Sequence, residues 1–516
     1  MSTPIFEVAK GHRDSSGREA ILRNKVRDTL RGIFERYGYN PLETPMIENA
    51  ETISFKGGGE IKKEVYRLSD QGGRDLALRF DQTLPFARFL ATNPDVKFPF
   101  KRYVMGPVFR DGPTQPEQGR FRSFTQCDVD VAGVKGMAAE AELLALAQDS
   151  FGALGLGGVD VKINNRKLLY GVLDYAGVPD NAKLRTIITL DKMDKLGVDE
   201  MVENLERLTL TDEAMGISNE TLRELDSLAK KSSFVGAVEN LRHKIVAEVG
   251  TLGYHEVNQI AINDSVDYDD RIRLVGDFKT KGERLLTSDS VARLMELVKS
   301  GGNNEETFAR LKANVTSPRG LEGLNEVRQL LDYSKGMGFD FISLDPSLAR
   351  GLDYYTGTTI EVFLKDRSTV KSAILGGGRF DDMLGDYRGR GEEIPAVGFS
   401  FGLERLVMIL DKNADSPSNV TQLYLIPMNT TAQSLKIAHQ LRQEGVNVDI
   451  DLVGGRKLGN VISSVSSLGI PYVGIIGEDE VREGVLTVKN LRTREQNKVP
   501  ISDVPKYLSM GRQLKT

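Results

Sequence analysis

The spacing of apolar and polar positions divides the chain into stretches with different periodicities. Between Glu19 and Tyr37, apolar residues recur every three or four positions, which predicts a helix with one apolar face. Gly38 follows this segment and suits a helix C-cap. Strand-like runs come next at 75–80, 101–109 and 120–133, and a second helical pattern spans 137–151. Because hairpin-like spacings recur, we predict an α+β unit up to about residue 165 with mainly antiparallel strands.

The middle and the end of the chain have other patterns. From about 170 to 325, charged helical segments such as 222–246 and 291–300 dominate, which predicts a helical insertion. Strand patterns resume at 349–364, 373–380 and 395–401, and a short helix follows Gly402. After the polar linker at 413–419, strands and helices alternate up to residue 477, which predicts a small parallel-rich α/β domain.

Composition narrows the classes of protein and of site. With 516 residues, of which 40% are hydrophobic, the chain is long enough for three or four globular domains. Its one cysteine, Cys127, excludes an intramolecular disulfide and a zinc site built on paired cysteines. No apolar run reaches the roughly 18 residues that span a bilayer. The N-terminal segment has neither a secretory nor a transit pattern, so we expect a cytoplasmic protein. The net charge of −5 argues against non-specific coating of nucleic acid but is compatible with a local basic face.

A strand with charges on one face is the first candidate for a functional surface. Along 120–130, even positions point to one side of the predicted strand and odd positions to the other. The even set comprises Arg120, Arg122, Phe124, Gln126, Asp128 and Asp130. This face is either the solvated side of an antiparallel sheet or a binding floor. In a binding floor, arginines would meet an anion at one end and acceptors a cationic or N–H-bearing ligand at the other.

Other segments combine charges with aromatic residues or with a helix start. Asp81 and Thr83 share a face at a predicted strand end, and Arg350 opens a segment with two tyrosines. Arg405 falls in the first turn of the helix after Gly402, where a helix N-terminus already attracts anions. The chain has no Walker A motif, and four histidines with one cysteine disfavour Ser–His or Cys–His catalysis. The residues favour chemistry by positioning and charge neutralisation around phosphate.

Five segments carry a recognisable combination of motifs. GPVFRDGPTQPEQGRFRSFTQCDVDVAG (106–133) resembles motif 2 of class II aminoacyl-tRNA synthetases, TPMIE (44–48) motif 1, and AVGFSFGLERL (396–406) motif 3. RGLDYYTG (350–357) and GGGRFD (376–381) are similar to two signatures of the histidyl-tRNA synthetase family, which the chain therefore resembles. The loop between Arg110 and Arg120 lacks the basic residues of the common bacterial form, and Phe380 stands where the family usually has tyrosine.

The resemblance implies a role for most of these residues. Arg350 matches the family's catalytic arginine. An ATP site would comprise Arg110, Arg120, Phe124 and Arg405, with arginines on the phosphates and Phe124 stacked on adenine. A histidine site would comprise Asp81, Thr83, Arg110, Gln126, Asp130, Arg350, Tyr354 and Tyr355. Within it, Asp81, Thr83 and Gln126 would meet the α-amino group, and Asp130 and Tyr355 the imidazole.

The resemblance also implies an activity and an architecture. Histidine would be activated with ATP and Mg²⁺ and transferred to tRNA(His), without zinc or a protein-only metal site, by a cytoplasmic homodimer that forms through motif 1. The implied fold class is α+β: an antiparallel-sheet catalytic domain with a helical insertion, plus a C-terminal α/β anticodon-binding domain. The implied limits are 1–170 and 326–412 for the catalytic domain, 171–325 for the insertion, 413–420 for a linker and 421–516 for the anticodon-binding domain. Arg442, Arg456 and Lys457 are candidates for phosphate contacts in that last domain.

Two alternatives remain open at this stage. A non-catalytic, synthetase-like regulatory subunit of ATP phosphoribosyltransferase would usually lack the C-terminal domain and parts of the site, and this chain keeps both. Another class II synthetase, for proline, glycine or threonine, would share the C-terminal domain. RGLDYYTG and Asp130 argue against that second alternative.

Overall fold

The computed structural model describes residues 6–55, 59–206, 208, 219–231, 233–242, 244–245, 257–258, 260–262, 267–276, 286–299, 302–339, 341–349, 354–389, 393–412 and 418–513. The strands within these residues are β1 Asn40–Pro41, β2 Ile47–Asn49, β3 Arg67–Ser69, β4 Asp75–Leu78, β5 Phe100–Phe109, β6 Ser123–Ala132, β7 Val159–Asn165, β8 Ile342–Leu344, β9 Thr358–Leu364, β10 Leu375–Arg379, β11 Ala396–Gly402, β12 Leu423–Pro427, β13 Val448–Ile450, β14 Tyr472–Ile476, β15 Val485–Asn490 and β16 Gln496–Pro500.

The α-helices flank these strands along the chain and, in the segment from 176 to 317, follow one another with no strand among the described residues. They are α1 Gly17–Arg36, α2 Ala50–Ser54, α3 Gly59–Glu64, α4 Thr83–Thr92, α5 Ala138–Ala153, α6 Arg166–Tyr175, α7 Asp180–Leu190, α8 Met193–Leu196, α9 Val198–Glu206, α10 Asn219–Ala229, α11 Phe234–Asn240, α12 Tyr268–Gly276, α13 Ser288–Val298, α14 Asn304–Asn314, α15 Pro318–Gly336, α16 Asp381–Arg388, α17 Leu403–Asp411, α18 Thr431–Gln443, α19 Leu458–Ser467, α20 Glu478–Glu483 and α21 Val504–Gln513. Among the described residues, no helix combines the length and the apolar character needed to cross a bilayer.

An eight-stranded sheet forms the centre of the first 412 residues, in the order β1-β5-β6-β11-β10-β9-β7-β8. The six strands from β5 to β7 pair antiparallel, whereas the edge pairs β1–β5 and β7–β8 are parallel. The predicted class, an α+β protein with a mainly antiparallel sheet, is confirmed, and its two edges make the sheet mixed. A small antiparallel sheet, β2-β4-β3, stands apart from it.

One face of the central sheet packs against helices. The apolar stripe of α1 contributes Val26, Leu30 and Phe34 to the largest core, where they join Cys127 and Val129 of β6. These β6 residues occupy odd positions, so the even positions of the strand face the other side of the sheet. Packing of the odd face thereby fixes which side chains are available for a site.

Two local predictions near the site are wrong. The strand predicted over 75–80 ends at Leu78, and Thr83 begins α4 instead of standing at a strand end. The strand predicted from residue 120 begins only at Ser123. Before it, the chain turns back on itself, since Gln115 and Arg120 form an isolated antiparallel bridge.

Between residues 176 and 317, every element that the structure describes is a helix. α15 leads back to the central sheet and packs closely on α6, because glycines meet where the two helices cross. A Cβ on Gly171 would lie 2.5 Å from the Cα of Gly320, which leaves no space for a side chain. The residue limits predicted for the insertion and the other domains remain a prediction.

The C-terminal residues form a second sheet, in the order β13-β12-β14-β15-β16. β13, β12 and β14 are parallel, as the alternation of strands and helices predicts, but β14, β15 and β16 run antiparallel. The sequence-based prediction ended at residue 477 and did not include the β15–β16 hairpin or α21. The two apolar clusters of this region contain only residues from 423 onward, so the region has a core of its own.

Candidate active site

A pocket opens on the face of the central sheet that carries the even positions of β6. Its floor is formed by Gln126, Asp128 and Asp130 of β6 and by Gly398 and Ser400 of β11. The rest of the lining consists of Asp81, Thr83, Tyr354, Tyr355, Gly376, Phe380 and Phe399. Because Asp128 and Asp130 are almost fully buried, this part of β6 is a pocket floor and not the solvated side of a sheet.

Asp81 is fixed at the pocket edge by the start of α4. Its Oδ1 atom accepts the backbone N–H groups of Thr83 at 3.1 Å and Leu84 at 2.9 Å, which satisfies two donors of the first helical turn. Its Oδ2 atom accepts the Tyr354 hydroxyl at 3.3 Å. Burial raises the pKa of Asp81, while the N–H of Leu84 and the charge of Arg110 act in the opposite direction. The helix start therefore explains both the position of Asp81 and the failure of the strand prediction.

A buried ion pair adjoins the floor on the same face of the sheet. The Nη2 atom of Arg102 on β5 is 2.7 Å from Oδ2 of Asp130, and both side chains are at most 3% exposed. Arg102 also donates to the carbonyl of Gln82 at 3.0 Å, and its guanidinium lies 4.4 Å from the ring centroid of Phe86. Burial raises the pKa of Asp130 to about 6, although the charge of Arg102 opposes this shift. Burial and the charge of Asp130 raise the pKa of Asp128 to about 8.

Glycines give the carboxylates and tyrosines their space. A Cβ on Gly398 would lie 2.0 Å from Oδ1 of Asp130, and one on Gly378 would lie 3.2 Å from the ring of Tyr355. A Cβ on Gly377 would collide with the backbone of β11, whereas one on Gly376, which lines the pocket, would meet nothing within 4 Å. The glycine triplet thus serves the close packing of the sheet in two of its three positions.

The predicted ATP residues lie around the turn between β5 and β6, residues 110–122, and at the start of α17. The guanidinium of Arg110 is 4.2 Å from the ring centroid of Phe80 and 5.3 Å from that of Phe124. Arg120 is 43% exposed and lies 3.8 Å from the carboxylate of Glu64 on α3. Arg405 donates to the carbonyl of Ala373. A Cβ on Gly119 would lie 3.1 Å from the Cγ atom of Arg405, so the turn approaches the start of α17.

The structure brings most of the predicted histidine-site residues together in one pocket. The residues that line it are Asp81, Thr83, Gln126, Asp130, Tyr354 and Tyr355. Arg110 acts on this pocket through its charge, since it opposes the rise that burial causes in the pKa of both Asp81 and Tyr354. Arg350 lies outside the described residues.

Sequence reasoning missed Arg102 and Ser400. Arg102 alternates with Val104, Gly106 and Val108 along β5, so a lone arginine on an otherwise apolar strand face was the available signal. Ser400 had no such signal, because its place beside Asp128 comes from the register of β11 against β6.

Comparisons with known proteins place the chain among its relatives. The histidyl-tRNA synthetase family profile matches residues 11–263 and 273–406, and an anticodon binding domain profile matches 422–510. A histidine–tRNA ligase 1 of Bacillus cereus is 37% identical over 504 residues, which cover 97% of this chain and 98% of the relative. The histidine–tRNA ligase of Aeropyrum pernix is 32% identical over 509 residues, which cover 96% of this chain and 96% of the relative.

Solved structures share the fold. The crystal structure of a histidyl-tRNA synthetase from Nostoc sp. PCC 7120 matches with a TM-score of 0.72 and 25% identity, over 98% of this chain and 100% of that one. A structure from Bacillus halodurans, described as an ATP phosphoribosyltransferase regulatory subunit/histidyl-tRNA synthetase, matches with a TM-score of 0.59 at 20% identity. With a family profile over most of its length and relatives above 30% identity spanning nearly all of it, the chain belongs to the histidyl-tRNA synthetase family of class II aminoacyl-tRNA synthetases.

Proposed function

We propose that this chain activates L-histidine with ATP to histidyl-adenylate and pyrophosphate, and then transfers histidine to the 3′ end of tRNA(His). Family membership makes it a histidine–tRNA ligase. The observation that carries the proposal for its site is the pocket on the central sheet, where Asp81, Gln126, Asp130 and Tyr355 converge. These groups provide acceptors for an ammonium group and both acceptors and donors for an imidazole.

Histidine is proposed to bind with its two ends on different elements. Asp81, Thr83 and Gln126 hold the α-amino group at the start of α4, where a negative charge is already oriented by two backbone N–H groups. Asp130 and Tyr355 hold the imidazole deeper in the pocket, with Tyr354 fixed against Asp81. A site of buried polar groups rejects ligands that leave those groups unpaired, by a factor of about 10⁴ in comparable pockets.

The adenylation step requires stabilisation of negative charge at phosphorus. An oxygen of the histidine carboxylate attacks the α-phosphorus, the bond from that phosphorus to the β-phosphate bridge oxygen breaks, and pyrophosphate leaves. Arg110 and Arg350 are proposed to hold the α-phosphate, because fixed guanidinium groups stabilise developing charge without reorganising. Arg120 contacts the outer phosphates, and adenine lies between Phe124 and Arg405.

Mg²⁺ is proposed to arrive with the nucleotide. Among the described residues, no group of three or more His, Cys, Asp or Glu side chains is arranged to hold a metal ion. Mg²⁺ commonly keeps several waters and uses substrate phosphates with few protein ligands, so a nucleotide-borne ion fits such a site. When bound, it would neutralise phosphate charge, and the arginines would act beside it.

The C-terminal domain is proposed to bind the tRNA anticodon region. Of its candidate basic residues, Arg442 is engaged with the carbonyl of Val448 at 2.9 and 3.0 Å, which favours a structural role. Arg456 pairs with Asp451 at 2.6 Å but remains 38% exposed, and Lys457 follows it immediately before α19. The loop that carries both also exposes Leu452 and Val453. Arg456 and Lys457 are therefore the better candidates for phosphate contacts.

The proposal includes the oligomeric state and the cellular location of the enzyme. We expect a homodimer that forms through motif 1, where Met46 and Ile47 are each 50% exposed and would be covered by a second copy. We also expect the enzyme to act in the cytoplasm. Light scattering during size-exclusion chromatography tests the dimer, and a mass of one chain at micromolar concentration would contradict it.

ATP–pyrophosphate exchange tests the function directly. Histidine should support exchange, whereas proline, glycine and threonine should not. Exchange with one of the other three amino acids would instead mean a different class II specificity. No exchange with any amino acid, together with full binding of ATP, would support a non-catalytic regulatory subunit, a reading that the matched anticodon binding domain disfavours.

A further inference from the structure

Three carboxylates converge on the pocket, and one of them has no assigned task. Asp81, Asp128 and Asp130 are 2%, 3% and 2% exposed. Asp81 caps α4, and Asp130 pairs with Arg102. The Oδ1 atom of Asp128 is buried and has no hydrogen-bond partner among the residues that the structure describes. Its neighbour in register on β11 is Ser400, whose hydroxyl is also buried without a hydrogen-bond partner among those residues.

We propose that Asp128 is a further histidine-selecting residue, which binds one nitrogen of the substrate imidazole while Asp130 binds the other. This inference rests on the proposed function and deepens it, since it concerns the same pocket. It adds to the pocket a group that the family resemblance did not assign.

The spacing of the two aspartates suits an imidazole. They occupy alternate positions of β6 on the same face, which places their Cα atoms about 6.4–6.8 Å apart. The two ring nitrogens lie on one small ring, and charge-assisted hydrogen bonds extend about 2.7–2.9 Å from each. One ring can therefore bridge two carboxyl groups that both point into the pocket.

Hydrogen bonding of a neutral imidazole to two carboxyl groups requires one additional proton. The ring has one N–H donor and one lone pair, so one carboxyl group must accept and the other must donate. Asp130 is ion-paired with Arg102, whereas Oδ1 of Asp128 has no partner among the described residues. Burial and the charge of Asp130 raise the pKa of Asp128, so Asp128 is the member of the pair that holds the proton at neutral pH. Asp128 donates to the lone pair, and Asp130 accepts the ring N–H. If the proton crosses to the ring, an imidazolium lies between two carboxylates and the total charge is unchanged.

The surroundings of Asp128 support this protonation. Asp130 on the same strand and Asp81 at the start of α4 favour the neutral acid. Arg102 on β5 and the Ser400 hydroxyl on β11 favour the carboxylate, and the Arg79 guanidinium also interacts with it. The phenol of Tyr355 and the thiol of Cys127 lie within electrostatic reach, and burial raises the pKa of both, so they remain neutral.

Two substitutions distinguish a role of Asp128 in histidine binding from a role in maintaining the sheet. Asp128→Ala removes both the donor and the acceptor, whereas Asp128→Asn keeps an N–H donor that does not titrate. Asp28→Asn, at a carboxylate on α1 whose side chain is 66% exposed, is the matched control. The measurements are KM for histidine and KM for ATP in pyrophosphate exchange between pH 6.5 and 9, made on the full-length chain.

The proposal predicts a distinct result for each variant. Asp128→Ala should raise KM for histidine at least about tenfold at pH 7, as expected for loss of a buried hydrogen-bonding partner, and should change KM for ATP less than about threefold. Asp128→Asn should stay within about threefold of wild type at pH 7. Above pH 8, wild type should lose histidine affinity more steeply than Asp128→Asn, because only wild type loses its donor. Titration of the substrate α-amino group is common to both.

Several outcomes would overturn the inference without touching the proposed function. An unchanged KM for histidine in Asp128→Ala would exclude contact with the ring. Equal increases in KM for histidine and KM for ATP would mean that Asp128 only maintains the sheet. Parallel pH profiles of the histidine KM for wild type and Asp128→Asn would exclude a proton on Asp128 that donates to the ring. This comparison tests the proposal even if Asp128→Ala fails to fold. Absence of histidine-dependent exchange in wild type would instead refute the proposed function.

Discussion

At the scale of single residues, two buried arginines, Arg379 and Arg102, differ in how many of their guanidinium nitrogens have a partner. Arg379 donates to both oxygens of Glu140 at 2.7 and 2.8 Å and to Asp381 at 3.1 Å. Arg102 pairs with Asp130, but its Nε and Nη1 atoms have no hydrogen-bond partner among the described residues. A buried charge with every donor satisfied maintains the fold, whereas buried donors without partners are costly, so the pair of Arg102 and Asp130 beside the pocket is the less settled of the two.

Asp128 should make the free energy of unfolding depend on pH. In the folded chain its pKa is raised to about 8, whereas an unfolded chain releases this proton near about pH 4. Between these values the unfolded state binds fewer protons, so this group lowers stability as pH rises. Asp128→Asn removes the titration. We expect the stability of the variant relative to wild type to increase from pH 5 to pH 8 in urea unfolding. A difference that stays constant or falls over this range would contradict the raised pKa.

Arg350 provides a prediction about the chemical step. If it holds the α-phosphate as the family resemblance implies, Arg350→Ala should lower the adenylation rate at least about 10²-fold, or about 2.7 kcal/mol of transition-state stabilisation. Single-turnover formation of histidyl-adenylate measures this rate, and histidine affinity should change far less. Arg31→Ala, at an exposed arginine of α1, is the control. A near-normal chemical step in Arg350→Ala would remove the residue from the mechanism.

At the scale of elements, the register between β6 and β11 determines the pocket. Asp130 pairs with Gly398 and Asp128 with Ser400, so a slip of one residue in either direction would place valine or phenylalanine opposite each carboxyl group. A strand slip of one residue also turns every side chain to the other face. The glycine at 398 is therefore as specific a requirement as the aspartate opposite it.

Gly398→Ala should weaken histidine binding although it adds only a methyl group. Its Cβ would lie 2.0 Å from Oδ1 of Asp130 and 2.6 Å from the backbone carbonyl oxygen of Val129, and the strand backbone cannot easily move away. We expect KM for histidine to rise at least about tenfold, since a buried polar contact is displaced. Gly32→Ala is the matched control, because a Cβ there meets nothing within 4 Å and a helical alanine should stabilise by about 0.5–1 kcal/mol. Unchanged histidine kinetics in Gly398→Ala would mean that Asp130 has another position when histidine binds.

At the scale of the whole molecule, separate cores indicate separable tasks. The apolar clusters of the second sheet contain only residues from 423 onward, and those of the central sheet none of them. Every proposed adenylation residue stands at or before Arg405. The first step of the reaction and the binding of the tRNA anticodon region are thus assigned to different cores.

Deletion of residues 421–516 tests this division. Histidine-dependent pyrophosphate exchange should remain within a few-fold of the full chain, while aminoacylation of tRNA should fall steeply because binding surface and positioning are lost together. The salt dependence of tRNA binding should also flatten, since phosphate contacts are removed. In the full chain, Lys457→Ala should flatten it to a smaller degree. Normal charging of tRNA by the truncated chain would contradict the assignment, and loss of exchange would mean that the catalytic core depends on this domain.

The sequence by itself determined the elements whose periodicity is strong. The apolar stripe of α1, the alternation along β6 and the strand–helix alternation after residue 420 each follow from one local period, 3.6 or 2 residues, that the chain displays openly. The motifs around residues 106–133 and 350–357 were sufficient to indicate the family. The β15–β16 hairpin and the helix start at Thr83 were missed although their partners are near in sequence. Each is made by a turn or a cap, and the periodicity of apolar residues does not report these.

Only the tertiary structure decided how the charged side chains are used. The even face of β6 was compatible with a solvated surface until the start of α4 and the Tyr354–Tyr355 segment closed around it. Arg102, Asp130 and Asp81 stand far apart in sequence, and their ion pair and mutual effects on pKa depend on distances that the fold alone sets. Electrostatic interactions act through space and depend on burial. The residue types could therefore be predicted from the sequence, but their partners and protonation states could not.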